Sequence, residues 1–194
     1  MTSRLLSLLP LFSFSVLLSS FSSVAFSQEP KTPELVVAAA SDLSNLADAL
    51  QKGFPQANLR FSFGSSGMLA RQIEAGAPFD VFLSANEEFV MDLVKKRKIH
   101  KEDVLVYATG RLGLWSKSGA IQDFEDFKKF DRVKVAIANP QHAPYGKAAK
   151  EALIRAKLWD RIEPDVIYAE NVRQTMQFAE SGNVASSGRN PDSW

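Results

Sequence analysis

From Pro33 onward, short apolar runs alternate with stretches whose apolar residues recur every three or four positions. That alternation predicts βαβ units around a mostly parallel sheet. Leu35 to Ala39 reads as a buried strand. Leu43, Leu46, Ala47, Leu50 and Phe54 follow at helical spacing, so residues 42–53 are expected as a helix with Ser41 at its N-cap. Leu59, Phe61 and Phe63 alternate as a second strand, which runs into Gly64-Ser65-Ser66-Gly67 and a helix carrying Leu69, Ile73 and Ala75; Gly76-Ala77-Pro78 ends that helix. Val81 to Leu83 forms a third strand. Ser84-Ala85-Asn86 then leads into a helix with Phe89, Val90, Leu93 and Val94 inward, closed by Lys95-Lys96-Arg97-Lys98, where cations suit the negative end of the helix dipole.

Val104 to Trp115 is apolar and strand-like but holds Gly110 and Gly113, so it is expected as extended chain crossing from one lobe to another. Beyond it the pattern predicts a strand at Val133–Ala138, a helix at Tyr145–Lys157, a strand at Val166–Tyr168, and a last helix opened by Glu170 or Asn171 that buries Val172, Met176 and Ala179. Trp115 and Trp159 sit among apolar residues and read as core. No repeat of fixed period runs through the chain.

The first residues have a different character. A lone basic residue, Arg4, precedes an apolar run from Leu5 to Leu18, and Ala25-Phe26-Ser27 supplies the small residues of a cleavage site. Pro10 and several serines interrupt the run, which falls short of the roughly 20 apolar residues that span a bilayer. Residues 1–27 are therefore expected as a signal peptide cleaved near Ser27, which places the mature chain in the periplasm. Their removal takes away Arg4 alone and brings the formal charge from +1 to zero. That balance does not favour a nucleic-acid partner. The absence of cysteine excludes a disulfide framework, a thiolate metal site, a cysteine nucleophile and a cysteine-linked lipid.

Three strand-to-helix junctions carry small hydroxyl or amide residues: Ser41-Asp42, Gly64-Ser65-Ser66-Gly67 and Ser84-Ala85-Asn86. In an open parallel sheet such junctions gather at the carboxyl edge of the strands, where ligands bind. Helix N-termini there present unpaired N–H groups and partial positive charge, which suits an anion. The plainer alternative for each serine is that it caps its own helix.

The segments V-V-A-A-A-S-D-L, F-S-F-G-S-S-G-M-L-A-R-Q-I-E-A-G-A-P-F-D-V-F-L-S-A-N, N-P-Q-H-A-P-Y-G-K-A-A-K-E-A-L and A-E-N-V-R-Q, in this order, resemble the periplasmic molybdate-binding proteins of ABC importers. The resemblance covers residue 35 to about 183. It implies an α/β, two-lobe type II periplasmic binding protein fold, mostly parallel sheets flanked by helices, closing on molybdate or tungstate. The lobes are expected at residues 28–106 and 107–183. By the same resemblance Ser41 and Ser66 supply hydroxyl and N–H donors, Ala85 offers its backbone N–H, and Tyr145 and Val172 complete the site from the second lobe. Tyr145 could donate through its phenol or its backbone N–H. The chemistry agrees, because a fully ionised oxyanion accepts hydrogen bonds and offers none, whereas an aspartate acceptor suits a protonated anion.

Molybdate or tungstate and a membrane permease are thus the expected partners, for a monomer with no cofactor, no catalytic residue and no free metal cation. Molybdenum would enter only as molybdate. Arg71 and Arg173 are expected in solvent or in pairing between lobes. His100 and His142 lie far apart without a carboxylate or cysteine cluster, and Ser65 and Ser66 lack the spacing of a nucleophile elbow. Relatives of this type continue past this point into a return segment, so residues 184–194 read as a divergent tail and the C-terminal return as missing. Sulfate or another oxyanion is the alternative ligand. A serine-dependent enzyme is a different class, disfavoured by the lack of a nearby base in any motif. The ligand-binding domain of a transcription regulator is another, opposed by the signal peptide and the lack of a helix-turn-helix.

Overall fold

The computed structural model describes residues 32–182. The expected signal peptide and the tail at 184–194 lie outside the described residues. The first half is built on β1 (Glu34–Ala40), β2 (Asn58–Gly64) and β3 (Val81–Leu83), all parallel, in the order β2-β1-β3. β1 pairs with β2 over its whole length, from Glu34 opposite Asn58 to Ala40 opposite Gly64, and with β3 from Val37 opposite Val81 to Ala39 opposite Leu83. A strand paired on both edges and covered by helices reads as a continuous apolar run. Val37 to Ala40 are accordingly buried.

A 3-10 helix (Ser41–Leu46) and α1 (Ala47–Gly53) connect β1 to β2, α2 (Ser66–Glu74) connects β2 to β3, and α3 (Glu87–Lys95) follows β3. The expected single helix over 42–53 is therefore two pieces. Ser41 is its buried first residue, the cap position falls to Ala40, and no side chain caps it.

The second half pairs β4 (Val135–Ala138) with β5 (Val166–Ala169) in parallel, and α4 (Pro144–Arg155), α5 (Trp159–Ile162) and α6 (Val172–Ser181) surround them. Its core is a cluster of large side chains: Ile121, Phe127, Phe130, Val133, Ile137, Leu153, Leu158, Trp159 and Ile162. Residues 104–115 join neither sheet. They are nonetheless anchored, since the Tyr107 hydroxyl donates to the Ser84 carbonyl at 2.8 Å. Gly110 lies under Tyr145, where a Cβ would come within 2.2 Å of the phenol oxygen.

Two expectations about the core need correction. Trp159 is buried, but Trp115 is 47% exposed. Met176, expected inward on α6, is 37% exposed, and no α6 residue is fully buried. Both side chains border a cleft of about 690 Å³ between residues 112–118, β4 and α6. They face apolar surface across a gap instead of packing against it.

Candidate functional site

At the carboxyl ends of the strands the chain turns five times into a helix, and the turns converge. Ser41 begins the 3-10 helix one residue after β1, Ser66 begins α2 two residues after β2, and Ala85 lies between β3 and α3. Tyr145 is the second residue of α4, after Pro144 at the position that tolerates a missing N–H, and Val172 is the first residue of α6. All five expected site residues, Ser41, Ser66, Ala85, Tyr145 and Val172, line one small cavity together with Ala40, Asp42, Gly64, Ser65, Ala143 and Pro144. The cavity is small, about 10 Å³, on the scale of a single bound water.

The lining is rich in donors. First-turn N–H groups have no intrahelical acceptor, and the first residues of α2, α4 and α6 lie in the lining; the Gly67 N–H goes to the His142 carbonyl and the Gln174 N–H to Asn171, which leaves those of Ser66, Tyr145 and Val172 for the cavity. The serines do not cap these helices: the starts of the 3-10 helix, α2, α3 and α4 show no side-chain cap bond. Only α6 is capped among these, by Asn171 accepting the Gln174 N–H at 3.1 Å.

Ser66 is 1% exposed, and its Oγ accepts the Ala85 N–H at 3.0 Å. With that lone pair used, its hydroxyl proton is free to be donated into the cavity. Ala85 lines the cavity, but its N–H, expected to be offered to the ligand, is donated to Ser66 instead, an arrangement that spacing along the chain does not show. Among the described residues, Ser41 Oγ makes no hydrogen bond to another residue.

The phenol of Tyr145 donates to Asp42 Oδ2 at 3.1 Å. Burial, then the Asp42 charge, pushes its pKa up to about 12, so it keeps its proton. In this arrangement the phenol is committed to Asp42, and the residue's donor toward the cavity is its backbone N–H.

Two neighbours escape the sequence reading. Asp42 supplies the only formally charged side chain in the lining. His142, read as isolated, lies 77 positions from Ser65 in sequence yet bonds it through Nδ1 at 2.9 Å, both side chains buried. The His142 carbonyl also accepts the Gly67 N–H at 2.8 Å. A Cβ at residue 67 would come within 2.7 Å of that oxygen, so glycine permits the approach. The motif N-P-Q-H-A-P-Y-G marks the loop, but which serine it meets is set by packing. Among the described residues no carboxylate bonds the His142 ring, so the orienting third member of a hydrolase triad is missing. No group of three or more potential metal-ligating side chains occurs among the described residues. Arg71 and Arg173 are exposed and outside the lining.

Comparison with known proteins bears directly on this geometry. The model of the family described as bacterial extracellular solute-binding protein matches residues 35–187. The molybdate-binding protein ModA of Rhodobacter capsulatus is 33% identical over 155 residues, 78% of this chain and 62% of that protein. ModA of Escherichia coli K12 is 32% identical over 157 residues, 76% of this chain and 61% of that one. The chain therefore spans about three fifths of the length of these curated relatives. The periplasmic molybdate-binding protein of Azotobacter vinelandii superposes with a TM-score of 0.71 at 31% identity, over 77% of this chain and 68% of that structure. The fold of parallel strands flanked by helices is the one seen there. The family match begins at the second residue of β1 and runs beyond α6, leaving almost none of the described fold outside it. The chain belongs to the family of bacterial extracellular solute-binding proteins.

Proposed function

We propose that this chain captures a tetrahedral oxyanion, molybdate or tungstate, in the cavity at the strand ends and delivers it in the periplasm to the membrane permease of an ABC importer. It acts as a monomeric binding protein and not as an enzyme. The observation that carries this reading is the convergence of five strand-to-helix turns on one compact cavity lined by hydroxyl and N–H donors without a cationic side chain. A multivalent anion there is held by dipoles and hydrogen bonds already oriented, which suits binding followed by release. The names of the relatives point to the same ligand. On this reading Ser41 and Ser66 donate through their hydroxyls, Tyr145 and Val172 through their backbone N–H groups, and Ala85 fixes Ser66.

Calorimetric titration with molybdate, tungstate, sulfate and phosphate tests the reading. Molybdate and tungstate are expected to bind tightly, sulfate and phosphate weakly. Absence of binding by all four, or a preference for sulfate, would remove the molybdate assignment.

A further inference from the structure

A site made only for a fully ionised dianion has no use for a carboxylate, yet Asp42 lines this one. It follows Ser41 in the 3-10 helix and takes the Tyr145 phenol proton at 3.1 Å. A second phenol, Tyr107, lies close enough to feel the same charge. Among other ionisable groups on elements packed against the 3-10 helix, Asp48 and Lys52 of α1 and Arg173 and Glu180 of α6 are exposed, as Asp42 itself is, but lie outside the lining, and Glu34 of β1 pairs with Arg60 of β2 at 3.5 Å. The two ionisable groups identified beside Asp42 are the phenols of Tyr145 and Tyr107; Arg111, next to the Gly110 that abuts Tyr145, is exposed, and no cationic side chain is in the lining.

Resting on the oxyanion reading above, we propose that Asp42 makes capture proton-coupled: a dianion enters together with one proton from solvent, which settles on Asp42. An ionised carboxylate beside a dianion suffers like-charge repulsion, and protonation relieves it. The balance is simple. One solvent proton adds to one Asp42 oxygen, that O–H becomes a donor toward the anion, and the other oxygen still accepts the Tyr145 phenol. No covalent bond to the anion forms or breaks. Tyr145 is not the proton source, because its own proton is firmly held and remains in the bond to Asp42. An oxyanion that carries its own proton, such as hydrogen phosphate, can instead donate it to the ionised carboxylate and needs no uptake. Asp42 is on this account the residue that sets which protonation state of a ligand the site takes.

The test is calorimetric titration of the whole chain with molybdate in two buffers of different ionisation enthalpy, from about pH 6 to about pH 8. The wild type should take up a measurable fraction of one proton per molybdate, and its affinity should weaken as pH rises, by at most about tenfold per unit. Asp42→Asn should abolish the uptake and flatten the pH profile, with molybdate bound roughly tenfold more tightly near pH 8. Tyr145→Phe, a second variant, keeps the carboxylate but removes a donor that stabilises its charged form; uptake should persist and extend to higher pH. Buffer-independent heats and a flat profile in a wild type that does bind molybdate overturn the proton coupling and leave the oxyanion reading standing. No binding of any oxyanion by the wild type overturns both.

Discussion

The two sheets of this protein are made from different materials. Around β1 the chain uses mainly alanine and serine: Ala38 and Ala39 are fully buried, Ser66 ranks among the largest completely buried side chains, and Val37, Leu69 and Leu93 are the bulkier buried residues there. Around β4 it uses Phe127, Phe130, Leu153, Trp159 and Ile162. Small residues let backbone approach backbone, as at Gly67 against His142, and bring hydroxyls and N–H groups to one point. Large ones bury the area that holds a domain together, at about 25 cal/mol for each Å² of apolar surface. The first region supplies most of the donors, and the second supplies most of the cohesion. Even so, part of the cohesive region borders the cleft at Trp115 and Met176.

The comparison fails first if the second region is not the cohesive one. Gly146 packs α4 against the end of β4, where a Cβ would come within 1.9 Å of the Ala138 carbonyl oxygen. Neither backbone can yield cheaply. Gly146→Val is expected to cost more than the usual 1 to 3 kcal/mol of overpacking, about 3 kcal/mol or beyond, measured as a lost or much lowered urea midpoint. Near wild-type stability would show that β4 and α4 can separate. Next in size is Phe127→Ala, expected to cost about 3 to 5 kcal/mol, against about 2 to 5 for Leu93→Ala in the first region. A larger loss from Leu93→Ala would reverse the assignment of cohesion.

Binding sharpens the other half of the comparison. Ser41→Ala and Ser66→Ala should each weaken molybdate binding by about 1.5 to 3 kcal/mol, the range for hydrogen bonds to charged groups. Ser66→Ala also leaves the Ala85 N–H without its acceptor, so its thermal midpoint should fall more than that of Ser41→Ala. Unchanged dissociation constants for both would place the donors elsewhere.

How far the sequence is legible differs between the regions for the same physical reason. Strands and helices with a clear period were read near their observed limits: β3 at 81–83 coincides, and α6 begins where the motif A-E-N-V-R-Q suggests. The five candidate residues come from the resemblance, and the structure lines one cavity with them. What could not be read depends on contacts distant in sequence. Asp42 meets Tyr145 across 103 positions, and Ser65 meets His142 across 77. The 3-10 helix at Asp126–Lys129 is too short to show a period, yet it carries Phe127 into the core. Trp115 is exposed despite its apolar neighbours in sequence, because such a neighbourhood does not guarantee a partner in space.

The smallest expected effect concerns that short helix and the way the cohesive region fixes a turn with no regular structure on either side. Asp126 Oδ1 bonds Lys129 Nζ at 2.5 Å, while Oδ2 accepts the N–H groups of Gln122 at 2.8 Å and Asp123 at 3.2 Å. The Lys129 bond first, then these backbone donors, lower its pKa from 3.8 to about 2. The sign follows from this direction. A carboxyl more acidic when folded contributes its stabilisation fully above the unfolded value and loses it as pH falls through the folded one, so the window lies between about pH 4 and about pH 2. Lys129, raised by the same pairing, stays charged throughout it. NMR titration of the Asp126 carboxyl carbon should give a midpoint near 2, with the amide signals of Gln122 and Asp123 shifting alongside. In Asp126→Asn the charge is gone but an acceptor oxygen remains, so the two amides should stay bonded and lose only their dependence on acid. A wild-type midpoint at the ordinary 3.8 would mean that these bonds do not hold the turn. Phe127 would then be held by packing and by the Asp123 carboxylate, whose Oδ1 accepts the N–H groups of Glu125 at 2.8 Å and Asp126 at 3.1 Å.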